Sequence, residues 1–234
     1  MPGFPFPLMV FAAGFGTRMG ALTQDRPKPL IPVAGKPLID HALEIGAQAG
    51  VTRTVVNTHY KADQMAAHLA GRAVRISHEA DRILETGGGL KAALPLLGDG
   101  PVAILNSDGI WTGANPLAQL AHAWDPERME ALLLLLPLDR TLAHGPKGDF
   151  SLAPDGRISR GAGGEDHVYI GAQILLTDRI AATPDSAFGL NRTWTEMIAD
   201  GTAFGLVHDG GWCDVGHPEG IAEAERLLHS TRHG

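Results

Sequence analysis

Cysteine is almost absent: Cys213 is the only one in 234 residues. A single thiol excludes an internal disulfide and any zinc site built on cysteines. Long apolar runs are missing too. None approaches the ~20 residues that cross a bilayer, and Leu132 to Leu136 reads as a core strand. The segment Met1 to Pro7 lacks the basic stretch that opens a signal peptide. Charge is sparse at 19%, and basic groups are in deficit, with 19 Lys and Arg against 26 Asp and Glu. A net charge of -7 argues against a binder of nucleic-acid phosphates. Low charge with 44% hydrophobic residues excludes disorder as the main state. No linker, repeat or low-complexity segment is visible. The eleven histidines show no ligand spacing, and His59, His78 and His217 are expected to serve loops and turns. A soluble cytoplasmic protein is expected, with no membrane or nucleic-acid partner, a monomer or small homo-oligomer. It should form one domain over residues 1–234.

Glycine and proline are plentiful, about a fifth of the chain, which fits many turns between short elements. Leu8 to Ala13 reads as a buried strand that stops at a glycine-rich turn, Gly14 to Gly20. Pro27, Pro29, Pro32 and Pro37 forbid regular helix across the next stretch. Helix is expected over Leu38 to Ala49, Ala62 to Ala70 and Gly87 to Leu97, the last beyond its glycines. Another is expected from an Asn115 cap and Pro116 to about Trp124, and a final one over Pro218 to Leu228. Strands are expected at Val51 to Thr58, Ala73 to Ser77, Val102 to Asn106, Ala131 to Leu136 and Val168 to Leu176. The alternation predicts an α/β fold with a mostly parallel sheet. After Leu138 a hairpin is expected across Pro154-Asp155-Gly156. Thr193 to Glu196 reads as a capping box ahead of a short helix. Ala203 to His208 and Gly211 to Cys213 read as a second hairpin.

Gly14, Gly16 and Gly20 directly after a strand let main-chain N–H groups approach an anion. They also approximate a dinucleotide-binding fingerprint, but there a helix should begin at once, and the prolines leave little room. Lys28 is framed by Pro27 and Pro29, which restrict its stem. With Arg18 near the same loop, two cations suit a triphosphate whose charge rises during reaction. Asp108 follows a strand at the carboxyl edge, where open α/β sheets bind ligands. Glu85 to Gly89 reads as a glycine-rich helix start.

The stretches Ala12-Ala-Gly-Phe-Gly-Thr-Arg-Met19 and Arg26-Pro-Lys-Pro-Leu-Ile-Pro-Val-Ala-Gly-Lys-Pro-Leu38 resemble the signature of sugar-1-phosphate nucleotidyltransferases. The resemblance implies a Rossmann-like three-layer fold with a mixed, mostly parallel sheet and small antiparallel additions. It implies a nucleotide half over about 8–138 and a sugar-binding half over about 139–234. It further implies that Ala12, Ala13, Gly14, Gly16 and Thr17 wrap the nucleotide phosphates. Arg18 would bind the β- and γ-phosphates, and Lys28 would stabilise the α-phosphate transition state. Asp108, after Asn106, and Asp214, in Trp212-Cys-Asp-Val-Gly216, resemble the two ligands of a catalytic Mg2+. Two aspartates suffice, because magnesium keeps waters and phosphate oxygens. Ser107 departs from the family's glycine and sets a Cβ near the ribose. Glu85, Thr86 and Gly87 resemble the base-recognition loop. Glu79 either faces the base or is a solvated surface group. On the sugar side, Lys147 would meet the 1-phosphate and Asp149 a hydroxyl or amide. Gly171 would allow close approach, and Asn191 is a further candidate. Cys213 is expected to be buried and inert.

No hexapeptide-repeat segment is present, unlike bifunctional or guanylyl members that carry one. Leu84 to Gly89, Ala93 to Gly98, Gly148 to Phe150 and Trp212 to Gly216 look like a subgroup of small uridylyltransferases. These use UTP and N-acetylmuramate 1-phosphate in cell-wall recycling. Gly20-Ala-Leu-Thr23 departs from their more common Arg-Pro-Leu-Thr. A guanylyltransferase for mannose 1-phosphate, a non-catalytic nucleotide-sugar sensor and a Rossmann dehydrogenase are the competing readings.

Overall fold

The computed structural model describes residues 4–143, 145–161 and 164–230. The first half runs β1 (Leu8–Phe11), β2 (Pro32–Val33), β3 (Lys36–Pro37), α1 (Leu38–Ala49), β4 (Thr54–Thr58) and α2 (Ala62–Leu69). It continues through β5 (Val74–His78), α3 (Glu85–Leu97), β6 (Val102–Asn106), β7 (Gly109–Trp111), α4 (Pro116–Ala123) and β8 (Ala131–Pro137). There follow β9 (Ser151–Leu152), β10 (Ile158–Ser159), β11 (His167–Leu175), α5 (Asp178–Ala182) and α6 (Leu190–Ala199). Then come β12 (Ala203–Val207), β13 (Trp212–Asp214) and α7 (Pro218–Ser230). Two short 3-10 segments, kinked at Gly20, replace regular helix over Thr17–Thr23, and one 3-10 turn at Lys28–Leu30 fits the prolines around it. No helix among the described residues is long and apolar enough to cross a membrane.

Seven strands form one sheet in the order β12-β8-β11-β6-β1-β4-β5. Only β11 is paired antiparallel, to both β6 and β8. The fold is therefore α/β with a mixed, mostly parallel sheet, and β9–β10 and β7–β13 are the small antiparallel additions. Strand alternation splits the core between two faces. Leu8, Val10, Leu132, Leu134 and Leu136 pack toward α1, α2 and α4 through Ile39, Met65 and Leu117. Met9, Leu133 and Leu135 pack toward α3 and α6 through Leu90, Ala93, Trp194 and Met197. Covered on both faces, these strands are apolar throughout, which is why β8 reads as a leucine run. A third cluster, with Met19, Ile31, Cys213, Val215 and Ala224, seats α7 over the 3-10 turn.

Two sequence expectations fail. The Thr193–Glu196 box does not precede its helix but lies inside α6, with Thr193 buried. The helix starts at Leu190, whose N–H is accepted at 2.9 Å by the Thr86 hydroxyl from α3. A cap from a distant element thus replaces the local one. The second hairpin is also absent. β12 joins the main sheet parallel to β8, while β13 pairs with β7. Burying Ala203 and Phe204 against β8 satisfies β12 better than a local partner would.

The crossover between β12 and β13 is held by His208, fully buried. Its Nε2–H donates to the Thr112 carbonyl at 3.2 Å, and its Nδ1 accepts from Gln119 Nε2 at 2.9 Å. This is the neutral ring, and burial lowers its pKa. Because the folded value lies below the unfolded one near 6.5, the unfolded chain binds the proton first. The stability is complete above the unfolded pKa and is lost as pH falls below it. Melting between pH 7 and 5 should therefore be steeper in pH for the parent than for His208→Gln. Parallel curves would rule His208 out as the source.

Candidate functional site

A cavity of about 250 Å³ opens where β1 and β6 end, lined by Ala12, Ala13, Gly14, Lys28, Glu79, Glu85, Thr86, Asn106 and Asp108, with Asn57 and Ser107. Its floor is a hydrogen-bond chain. Asn57 Oδ1 accepts the Ala12 N–H at 2.7 Å, and Asn57 Nδ2 donates to Glu79 Oε1 at 2.7 Å. Glu79 Oε2 accepts the Leu84 N–H at 2.8 Å. Glu79 is 3% exposed, so it is no solvated surface group. It lines the cavity while both its oxygens tie the first loop to the start of α3. The Ser107 hydroxyl turns back to the Phe11 carbonyl at 2.7 Å and joins the ends of β1 and β6.

The glycine run Gly87–Gly89 lies within α3, despite its poor helix propensity. A Cβ on Gly87 would stand 2.4 Å from the Phe188 ring, and one on Gly89 2.7 Å from Glu79 Oε1. Close packing explains the run. The Gly87 and Gly88 N–H groups donate to the Phe188 carbonyl. Gly87 lines no described cavity. Glu85 and Thr86 do, Glu85 with a positive φ of 61°.

Four charged side chains gather beside this cavity. Lys28 Nζ donates to Asp108 Oδ2 at 2.7 Å, and the two side chains are 12% and 31% exposed. A Cβ on Gly16, at φ 66°, would lie 2.7 Å from Lys28 Cβ, so glycine there lets the loop close on the lysine stem. On the neighbouring strand, Asp214 pairs with Gly109, and the Val215 N–H donates to the Asp108 carbonyl at 2.9 Å. A Cβ on Gly216 would stand 2.5 Å from Asp214 Oδ2 and 3.2 Å from both terminal nitrogens of Arg18. Arg18 and Asp214 therefore share the space over Gly216. Thr17 and Arg18 are exposed and outside the cavity wall. Asp108, in the turn between β6 and β7, and Asp214, at the end of β13, are carboxylates of the kind that fits a hard divalent cation that keeps waters and takes phosphate oxygens. No group of three or more His, Cys, Asp or Glu among the described residues suits a metal. Cys213, beside Asp214 in β13, is buried in the third apolar cluster, and burial pushes its thiol up to about 12.

A second cavity of about 310 Å³ adjoins the first through Thr86, which lines both. Asp149, Phe150, Arg160, Tyr169, Leu190, Asn191 and Trp194 complete it. Asp149 Oδ2 accepts the Tyr169 N–H at 2.9 Å. Tyr169 and Trp194 meet edge to face at 5.0 Å, and Trp194 Nε1 donates to Gln173 Oε1 at 3.0 Å. Burial raises the Tyr169 phenol far above its usual range. Gly171 sits at φ 82° in the bulge of β11, and a Cβ there would meet the Asn106 side chain at 2.9 Å. The close approach it allows is thus to Asn106, on the wall of the first cavity. Lys147 is exposed and lines neither cavity. Sequence reading missed Asn57, Arg160 and Trp194. A polar residue inside the apolar run of β4 could have flagged Asn57; nothing local marks Arg160.

Residues 8–137 match the family model of the MobA-like NTP transferase domain. The chain is 44% identical to the N-acetylmuramate alpha-1-phosphate uridylyltransferase of Caulobacter vibrioides over 94% of its length and 96% of the relative's. It is 36% identical to the enzyme of that name from Neisseria meningitidis serogroup B, over 94% and 96%. Among solved structures, HddC from Yersinia pseudotuberculosis shares the fold at a TM-score of 0.77 and 21% identity, covering 95% of this chain and 99% of that one. The inositol-1-phosphate CTP transferase from T. maritima does so at 0.78 and 15%, covering 100% and 99%. The chain belongs to the MobA-like NTP transferase family and is a nucleotidyltransferase of the sugar-1-phosphate type.

Proposed function

We propose that the protein transfers a uridylyl group from UTP to N-acetylmuramate 1-phosphate in the cytoplasm, releasing pyrophosphate, as a step in cell-wall recycling. The reading is carried by the meeting of Lys28, Asp108, Arg18 and Asp214 beside one cavity; the likeness to the Caulobacter relative supplies the substrates. An oxygen of the sugar phosphate attacks the α-phosphorus of UTP. The bond from that phosphorus to the bridging oxygen breaks, and pyrophosphate carries the electron pair away. The first loop, from Ala13 to Thr17, presents main-chain N–H groups to the triphosphate, while the Ala12 N–H is held by Asn57 and anchors the start of the loop. Arg18 balances charge on the leaving phosphates, and Lys28 on the α-phosphoryl oxygens. The residues that would hold Mg2+ are Asp108 and Asp214, and when bound it supplies charge neutralisation and alignment of phosphate oxygens. Glu85 and Thr86 face the nucleotide, and Asp149 and Asn191 face the sugar in the adjoining cavity. No protein nucleophile is required, because alignment and electrostatics suffice for phosphoryl-group transfer.

Pyrophosphate release tests the reading, with UTP, GTP and dTTP each offered N-acetylmuramate, N-acetylglucosamine and mannose 1-phosphates. UTP with N-acetylmuramate 1-phosphate should be fastest, abolished by EDTA and restored by Mg2+. Faster turnover of GTP with mannose 1-phosphate would replace it by the guanylyl reading.

A further inference from the structure

N-acetylmuramate differs from N-acetylglucosamine by a lactyl ether that ends in a carboxylate. A site that selects the first must therefore recognise one extra anion. The second cavity offers a cation for it. Among its lining residues Arg160 alone is positively charged, and Asp149 alone is negative. We infer that Arg160 reads the lactyl carboxylate and sets the choice of acceptor sugar. The inference rests on the proposed reading of this cavity as the acceptor-sugar site.

Arg160 follows β10 and reaches across the cavity to α6. One terminal nitrogen donates to Asn191 Oδ1 at 3.0 Å, and the other donates to the Asn191 carbonyl at 2.6 Å and to the Thr195 hydroxyl. The guanidinium also stands 5.8 Å from the centre of the Phe150 ring. These contacts pin the group in place. They use three of its five N–H donors, and among the described residues no further bond is made. Every hydrogen-bond partner is neutral, and among the described residues Arg160 makes no ion pair, Asp149 of the same wall included. The nearest acid of that wall, Asp149, spends one oxygen on the Tyr169 N–H. An oriented guanidinium with unused donors and no carboxylate partner is matched to a carboxylate ligand. A staple for α6 alone would need the hydrogen bonds and not the charge.

The test measures UTP-dependent turnover with varied N-acetylmuramate 1-phosphate and N-acetylglucosamine 1-phosphate. Arg160→Gln keeps length and amide donors but removes the charge; Arg160→Lys keeps the charge. For Arg160→Gln, KM for the muramate acceptor should rise about 10- to 100-fold, the usual worth of a charge-assisted pair. The ratio of kcat/KM between the two acceptors should fall by a similar factor, and Arg160→Lys should recover part of it. Arg160→Ala should repeat the Arg160→Gln loss. Equal losses on both acceptors, or an unchanged ratio, would overturn the inference while leaving the proposed reaction intact. A parent enzyme that does not prefer the muramate acceptor would overturn the proposed substrate and this inference together.

Discussion

Lys28→Ala should lower kcat about 100- to 1,000-fold, the range seen when one preorganised charge is removed from a transition state. Folding should change little. The Lys28–Asp108 pair is partly open to water, and such pairs contribute about 1 kcal/mol or less. For a chain of this size that is a shift of roughly 2–4 °C in Tm. The asymmetry follows from where the charge sits. In the resting protein the ammonium only pairs with Asp108, whose carboxylate water can hydrate in its place. In the reaction it faces charge that no solvent is positioned to meet. Steady-state rates and a thermal melt on one preparation check this. Near-normal turnover with unchanged melting would remove Lys28 from the chemistry. A large fall in Tm would make its role structural.

Glu79→Gln should cost about 1–3 kcal/mol of stability although it is nearly isosteric. The reason is donor arithmetic. Glu79 accepts two N–H bonds, from Asn57 Nδ2 and the Leu84 main chain. A glutamine has one oxygen and one amide nitrogen, so one of those donors meets another donor. Rotating Asn57 to relieve this would take its oxygen away from the Ala12 N–H. The clash therefore falls on Asn57 and the first loop if the new amide nitrogen faces Asn57, and on the start of α3 if it faces Leu84. Urea unfolding should show a lower midpoint at unchanged m, and KM for the nucleotide should rise with it. A midpoint equal to the parent's would mean that the buried network is not worth its geometry.

Much of this architecture was legible in the amino-acid pattern because its causes are local. Helix α1 stops at Gly50, which takes φ 81° as a C-terminal glycine should. Asn115 caps α4 through the N–H groups of Leu117 and Ala118, ahead of Pro116 at the first turn. Strands β6 and β8 are apolar on both faces, so their burial could be read before any fold was known. The misreadings share a cause. Thr193 has a good local cap pattern, yet Thr86, more than a hundred residues earlier, caps the helix instead. Strand β12 has a plausible neighbour in β13, yet pairs with β8.

The candidate site divides in the same way. Gly14, Gly16, Arg18, Lys28 and Asp108 could be picked out from the chain, because glycine after a strand and proline around a lysine are chemical signals in themselves. Their meeting could not be picked out. Lys28 and Asp108 are joined at 2.7 Å across 80 residues, and Arg18 and Asp214 share the space over Gly216. Glu79 looked equally suited to water or to a ligand until the packing of Asn57 and Gly89 enclosed it. Arg160 has no local mark at all; its significance comes from the cavity that α6, β10 and β11 build around it. Backbone preferences and hydrophobic periodicity act over a few residues, so a linear reading recovers elements and loops. Long-range burial and the pairing of unlike charges act through space, so only the folded chain decides which polar groups face each other.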